Sequence, residues 1–212
     1  MIEQAVLLCA GQGTRLGPIT SHTPKPLVQV GGKPFVCWFI EDLVDVGVKD
    51  IILLTGYLSD RFNFLRELYP EVRLIKSDVI VNTGVMGIRD LRYKFLLGNG
   101  DCYPIFNKYN TLESLLEGSR KPSICVKVKN DPSIDAGTPF VSDCGLATVD
   151  KEAVQMGLIN CGSFTSMRGL LQDYNIVSNL HINDSNGLEV AERWLNGKTS
   201  IVSSQLPTVM NL

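Results

Sequence analysis

Histidine is nearly missing from this chain, with His22 and His181 its only two among 212 residues. A zinc centre is not expected from so few imidazoles. Paired cysteines are missing too: Cys9, Cys37, Cys102, Cys125, Cys144 and Cys161 stand singly, with no C-x-x-C, and several fall in apolar strand-like runs. They read as reduced core residues of a cytoplasmic protein. No apolar run reaches the ~18 residues that a bilayer span requires. Glu3 stands where a signal peptide carries basic residues, so neither membrane insertion nor secretion is expected. A basic excess is also lacking, since 20 Lys and Arg face 22 Asp and Glu for a net charge of −2. Such a chain has no general field with which to displace counterions from a duplex, and nucleic acid is excluded as a partner.

What is present is the composition of a globular domain, 44% hydrophobic and 20% charged. A chain of this length buries roughly 70% of its unfolded surface, enough for a real core. The most informative stretch begins with the apolar run Val6 to Cys9, which reads as a buried parallel strand, and breaks into Ala10-Gly11-Gln12-Gly13. Glycines at 11 and 13 let backbone N–H groups approach an anion together, as phosphate-holding loops do. Arg15 and Lys25 add two cations, and Pro24 and Pro26 restrict where Lys25 can aim. The loop is not a dinucleotide fingerprint, because Leu16 occupies the third glycine position. Neither is it a P-loop, because Gly32-Lys33 is followed by Pro34.

Downstream, apolar residues at three- and four-residue spacing predict a helix from Pro34 ended by Gly47. A strand follows over 50–55, a helix capped by Ser59 or Asp60, and a strand over 72–75. Strands alternating with helices argue for a parallel sheet covered on both faces, with ligands outside the strand carboxyl ends. After 81–88 a further helix is predicted, then an apolar strand closing on Leu97-Gly98-Asn99-Gly100-Asp101. An Asp at a strand's carboxyl end beside a phosphate loop is placed to hold Mg²⁺, although Asn-Gly-Asp is also a common turn. Beyond 123 shorter strands are read at 124–128, 140–142, 146–149 and 157–164, followed by an amphipathic helix over 188–195. The uncharged end, 199–212, shows no clear period and could dock on the body or on a second subunit, which leaves homo-oligomers open.

The combination G-x-G-T-R-L with P-K-P ten residues past Arg15 resembles the signature of the sugar-1-phosphate nucleotidyltransferases. The resemblance implies a Rossmann-like α/β fold with a mixed, mostly parallel sheet, helices on both faces and a small antiparallel acceptor-binding patch. It implies one domain over 1–198, its nucleotide-binding half 1–110 and its sugar-phosphate half 111–198, then the tail. On these grounds Arg15 and Lys25 are the expected catalytic cations, and Ala10, Gly11, Gly13, Thr14, Gly84 and Asn99 the expected nucleotide contacts. The pair Asp150-Lys151 and Asn160 resemble the family's sugar-phosphate contacts. Asp101 and Asp184 are the expected ligands of Mg²⁺, with Asp184 alternatively a helix cap.

The implied chemistry is attack by a sugar 1-phosphate on the α-phosphate of a nucleoside triphosphate, releasing pyrophosphate. A phosphate monoester is already ionised near neutrality, so no general base is required, in keeping with two histidines. The segment 82–87 departs from the family's usual base-pocket sequence and leaves the base open. Two alternatives remain open: a cytidylyltransferase acting on choline phosphate or a similar small phosphate, and a non-catalytic protein that senses nucleotide sugars.

Overall fold

β1 (Gln4–Cys9) shows how the two faces of the fold arise. Ala5, Leu7 and Cys9 join one apolar cluster while Val6 joins another, as the two-residue period of a strand dictates. The computed structural model describes residues 1–77, 81–106, 108–109, 111–117, 124–128, 142–155, 172–176 and 178–205. After β1 come the hairpin strands β2 (Gln29–Val30) and β3 (Lys33–Pro34), helix α1 (Phe35–Asp45), and β4 (Asp50–Thr55). Then follow α2 (Leu65–Leu68), β5 (Val72–Lys76), α3 (Val81–Met86), β6 (Lys94–Asn99) and β7 (Cys102–Ile105). The remainder comprises α4 (Leu112–Glu117), β8 (Ile124–Val128), β9 (Ser142–Asp150), α5 (Lys151–Gln155), β10 (Gln172–Ile176), β11 (Ser178–His181) and α6 (Ser185–Gln205).

Seven strands form one sheet in the order β10-β8-β9-β6-β1-β4-β5. β6, β1, β4 and β5 run parallel, β8 and β10 run parallel to each other, and β9 is antiparallel to both its neighbours. The expected mixed, mostly parallel α/β sheet is therefore found, with β9 the one reversed strand among the seven. The carboxyl ends of β1, β4 and β6 share an edge, because Leu8 pairs with both Leu54 and Asn99. β7 and β11 pair antiparallel in a separate ribbon beyond that edge.

One face of the sheet is covered by α1, α4 and the start of α6, through residues such as Phe35, Phe39, Leu43, Leu115 and Leu195. The other is covered by Val85, Ile88, Leu91 and Val154, against Ile52, Leu54, Phe95 and Leu97. Each such fully buried aliphatic side chain contributes about 1.5–3 kcal/mol. Helix α1 ends as predicted: Val48 N donates to Leu43 O at 2.9 Å and Gly47 N to Val44 O at 2.9 Å, with Gly47 at φ +88°. The Gly31-Gly32 turn, φ +61° and +83°, joins β2 to β3, and Glu192 of α6 accepts from Gly31 N at 2.9 Å.

Three expectations are corrected. The helix placed after 88 is instead α3 itself, at 81–86. A Cβ on Gly84 would lie 3.1 Å from Leu54 Cδ2, so this glycine lets the helix close on the sheet and packing overrides its weak propensity. The strand read at 146–149 is longer, since 142–150 is the continuous strand β9, and residues 140–141 of the strand read at 140–142 lie outside the described residues. The helix read over 188–195 is longer, since α6 spans Ser185–Gln205. The strand read at 157–164 lies outside the described residues. Among them, no helix is long and apolar enough to cross a membrane.

Asp50, at the start of β4, accepts from Arg73 Nε at 2.7 Å, Arg73 NH2 at 2.8 Å and Gln4 Nε2 at 2.7 Å. Burial pushes its carboxyl up, but the Arg73 fork, the Gln4 amide and the charges of Arg73 and Arg92 outweigh burial and hold it below the usual range. A depressed folded value stabilises above the unfolded carboxyl range, and that stabilisation is lost as pH falls through the folded value. Asp50→Asn should therefore lower Tm at neutral pH, by roughly 2–4 °C per kcal/mol lost. The gap from wild type should narrow toward about pH 2.5, and melts at both pH values check it.

Candidate active site

The end of β1 runs into Ala10 and Gly11, and Gly13 adopts φ +66°, a left-handed conformation that favours glycine. Its turn is held from two sides. Leu16 N donates to Gly13 O at 3.0 Å, and the Thr20 hydroxyl donates to the same oxygen at 2.9 Å. Tyr57, just past β4, fastens the loop further. Its N–H donates to Ala10 O at 3.1 Å and its hydroxyl to Thr20 O and Ser21 O, each at 3.0 Å. These bonds fix the backbone before any ligand arrives, which is what anion recognition by amides requires.

Lys25 opens a short 3-10 turn over Lys25–Leu27, entered from Pro24 at φ −52°. Its side chain is only 8% exposed. A buried ammonium needs a partner, and Asp101 supplies it: Lys25 Nζ lies 2.5 Å from Asp101 Oδ2. Nζ also donates to Asn183 Oδ1 at 2.7 Å, and Arg15 NH2 donates to that oxygen at 3.2 Å. With both cations on Oδ1, the Asn183 amide nitrogen faces His181 Nδ1 at 2.8 Å and donates to it. This tautomer leaves the hydrogen on Nε2, which donates to Asp101 Oδ2 at 3.2 Å. Three side chains, Lys25, Asn183 and His181, thus close a ring with the Asp101 carboxylate.

Burial alone pushes the Asp101 carboxyl up; the hydrogen bond from His181, with the charge and hydrogen bond of the Lys25 ammonium, more than reverses this. Asp101 is consequently held well below the usual carboxylate range and stays ionised. Cys9 lies beside it, its thiol pushed far up by burial and by the Asp101 charge, which removes it as a nucleophile. Cys9, Cys37 and Cys102 are buried and form no disulfide, in line with reduced core thiols.

These groups surround a cleft of about 420 Å³ at the carboxyl edge of the sheet. From the loop it is lined by Ala10, Gly11, Gly13, Thr14, Arg15 and Lys25, and from the end of β6 by Asn99 and Asp101. Eight of the residues expected from sequence therefore converge. Four of the other five are not among the lining residues, and the fifth, Asn160, lies outside the described residues. Gly84 is buried in α3 against Leu54 and Ser77, which themselves line the cleft. Asp184 is exposed, and its Oδ1 accepts from Gly187 N at 2.9 Å, so it caps α6 and does not face Asp101.

Asp150 and Lys151 are corrected in place as well. β9 runs antiparallel to β6, so Asp150 pairs with Lys94 at the amino end of β6, with Lys94 Nζ 3.5 Å from Asp150 Oδ1. Five residues of strand separate that end from Asn99, about 17 Å at the usual rise. Lys151 Nζ donates there to Leu91 O at 3.2 Å. Asn160 lies outside the described residues. The residues that the sequence did not single out are His181 and Asn183. Their signal is the alternation in Leu180-His181-Ile182-Asn183, where Leu180 and Ile182 are buried and the intervening side chains turn to the opposite face.

Among the described residues, Asp101, Cys102 and His181 have ligand atoms within 4.8 Å of one another. Both Cys102 Sγ, at 3.6 Å, and His181 Nε2 already face Asp101 as hydrogen-bond partners. Among the described residues Asp101 is the one carboxylate lining the cleft, a donor set compatible with an ion such as Mg²⁺ that keeps waters and takes phosphate oxygens.

Residues 4–81 match the family described as Nucleotidyl transferase. Over 75 residues the chain is 49% identical to the choline-phosphate cytidylyltransferase of Streptococcus pneumoniae, covering 35% of this chain and 32% of that protein. Over 84 residues it is 37% identical to the mannose-1-phosphate guanyltransferase of Emericella nidulans, covering 40% of this chain and 23% of that protein. The matches thus span about a third or less of these curated relatives. In structure the chain is similar to the UDP-glucose pyrophosphorylase of Acinetobacter baumannii, with TM-score 0.70, 15% identity, and coverage of 98% of this chain and 100% of that one. That likeness concerns the fold.

A Cβ on Gly13 would lie 2.9 Å from Lys25 Cβ and 3.1 Å from Thr20 Cγ2, in a conformation that costs a side chain about 1–2 kcal/mol. Gly13→Ala should lower Tm by roughly 2–8 °C and weaken nucleotide binding by displacing Lys25. Thermal melting and nucleotide titration check it, and unchanged affinity would show that the loop and Lys25 are uncoupled.

Proposed function

We propose, from the match of residues 4–81 to the family described as Nucleotidyl transferase, that the chain transfers a nucleoside monophosphate from a nucleoside triphosphate to a sugar 1-phosphate, releasing pyrophosphate. The product, a nucleotide-activated sugar, suits the building of surface polysaccharide. The observation that carries the reading is the convergence of the Gly11 to Thr14 loop, Arg15, Lys25 and Asp101 on one cleft.

The chemistry forms a bond between a sugar-phosphate oxygen and the α-phosphorus and breaks the bond from that phosphorus to the bridging oxygen, which leaves with pyrophosphate. The principal obstacle is repulsion. Two unit charges about 5 Å apart at an effective dielectric of ~20 repel by about 3 kcal/mol. In this reading Arg15 holds the β- and γ-phosphates and the departing pyrophosphate, while Lys25 moves from Asp101 onto the α-phosphate. The loop amides add fixed dipoles that need no reorganisation as charge shifts. Mg²⁺, with Asp101 as its protein carboxylate, would supply further neutralisation of the phosphate oxygens.

A second reading, transfer of a cytidylyl group to a small alcohol phosphate such as choline phosphate, is favoured by the 49% identity over 75 residues to a choline-phosphate cytidylyltransferase. It also needs no Asp150-Lys151 pair at the cleft. Pyrophosphate release from four nucleoside triphosphates, each offered sugar 1-phosphates and choline phosphate with Mg²⁺, separates the two; release with no pair would sink both. With the productive pair, Lys25→Ala and Arg15→Ala should each lose at least ~10²-fold in turnover. Retained circular dichroism would confirm that the fold persists, and near-normal turnover would remove these roles.

A further inference from the structure

The residue that faces Asp101 across the cleft is an amide, and this has a consequence for how charge is managed there. Asn183 Oδ1 accepts from Lys25 at 2.7 Å and from Arg15 at 3.2 Å. Its lone pairs are therefore spent on two cations. Asp101 Oδ2 is likewise occupied, by Lys25 at 2.5 Å and His181 at 3.2 Å. The nearest other carboxylate in this turn, Asp184, is exposed and caps α6. The ligand-free cleft thus sets Arg15 and Lys25 against the single charge of Asp101, an arrangement that attracts anions and repels a lone divalent cation.

We propose that Asn183 makes divalent-ion binding conditional on nucleotide, by holding Lys25 on Asp101 until a phosphate draws it away. An ion alone must compete with a buried ammonium for Asp101 Oδ2 and, among the described residues lining the cleft, finds no second carboxylate. A triphosphate changes both terms together: its oxygens accept Lys25 and Arg15, which frees the Asp101 oxygen, and they supply the remaining ligands that a hard cation prefers. Each ligand then favours the other, and the coupling is reciprocal. The inference rests on the nucleotide-binding reading of the cleft, and it names Asn183 as a positioning residue that acts through Lys25.

The test is direct binding of Mn²⁺, as a paramagnetic substitute for Mg²⁺, to the whole chain with no acceptor present. Free and bound ion are read by electron paramagnetic resonance and by water proton relaxation. Wild type should retain no Mn²⁺ below ~1 mM without nucleotide, and should give an enhanced-relaxation ternary complex when a suitable one of CTP, GTP, UTP or dTTP is added. Asn183→Asp, which sets a second carboxylate opposite Asp101, should retain Mn²⁺ without nucleotide at least ~10-fold more tightly than wild type. Wild type holding Mn²⁺ without nucleotide as tightly as Asn183→Asp would overturn the conditional binding while leaving the transfer reading intact. Failure of every nucleotide to form a ternary complex would overturn both. The wild-type measurement decides the matter even if the variant folds poorly.

Discussion

The ion pair between Lys25 and Asp101 is the contact on which the rest of this site depends. It joins a buried cation from the first loop to a carboxylate delivered 76 residues later by the end of β6. Neither charge would be stable in its position alone, since burial without a partner would neutralise one or expel the other. The parallel pairing of β1 with β6 brings them together, and the antiparallel ribbon of β7 and β11 adds His181 and Asn183 from the far end of the chain. A sheet edge thereby gathers Arg15 and Lys25 in one cleft without a general excess of basic residues.

Much of the first half was legible in sequence because its signals are local. Gly11 and Gly13 announce a backbone approach, Gly47 a helix end, and the unbroken apolar runs of β1 and β4 strands covered on two faces. The loop, Lys25, Asn99 and Asp101 share a cleft because they follow strands running in the same direction, a regularity that alternating strands and helices already convey. Segment 81–86 was less legible, since two glycines in Asn82-Thr83-Gly84-Val85-Met86-Gly87 suggest a loop, while contact with Leu54 and the burial of Val85 favour a helix.

Two misplacements have distinct geometric causes. Asp184 sits one residue beyond Asn183 but in the bend that opens α6, where its carboxylate caps the helix, so an acidic residue can be next to the site in sequence and be engaged at a helix end. Asp150-Lys151 is a matter of strand direction. A motif of this type is read without knowing which way its strand runs, and β9 is reversed relative to all its sheet neighbours. Its last residues accordingly reach the amino edge, where Lys94 receives Asp150.

The scarcity of histidine gives the His181 contact one more use. Only two imidazoles occur in the whole chain, and one of them is wired to the carboxylate and the amide at the centre of the cleft while the other, His22, lies exposed beside the loop. The protein therefore carries its own pair of spectroscopic labels. In a proton or nitrogen magnetic-resonance spectrum the interior ring should be distinguishable by its single tautomer, with the surface ring as an internal reference, so that events in the cleft can be followed without attaching a dye.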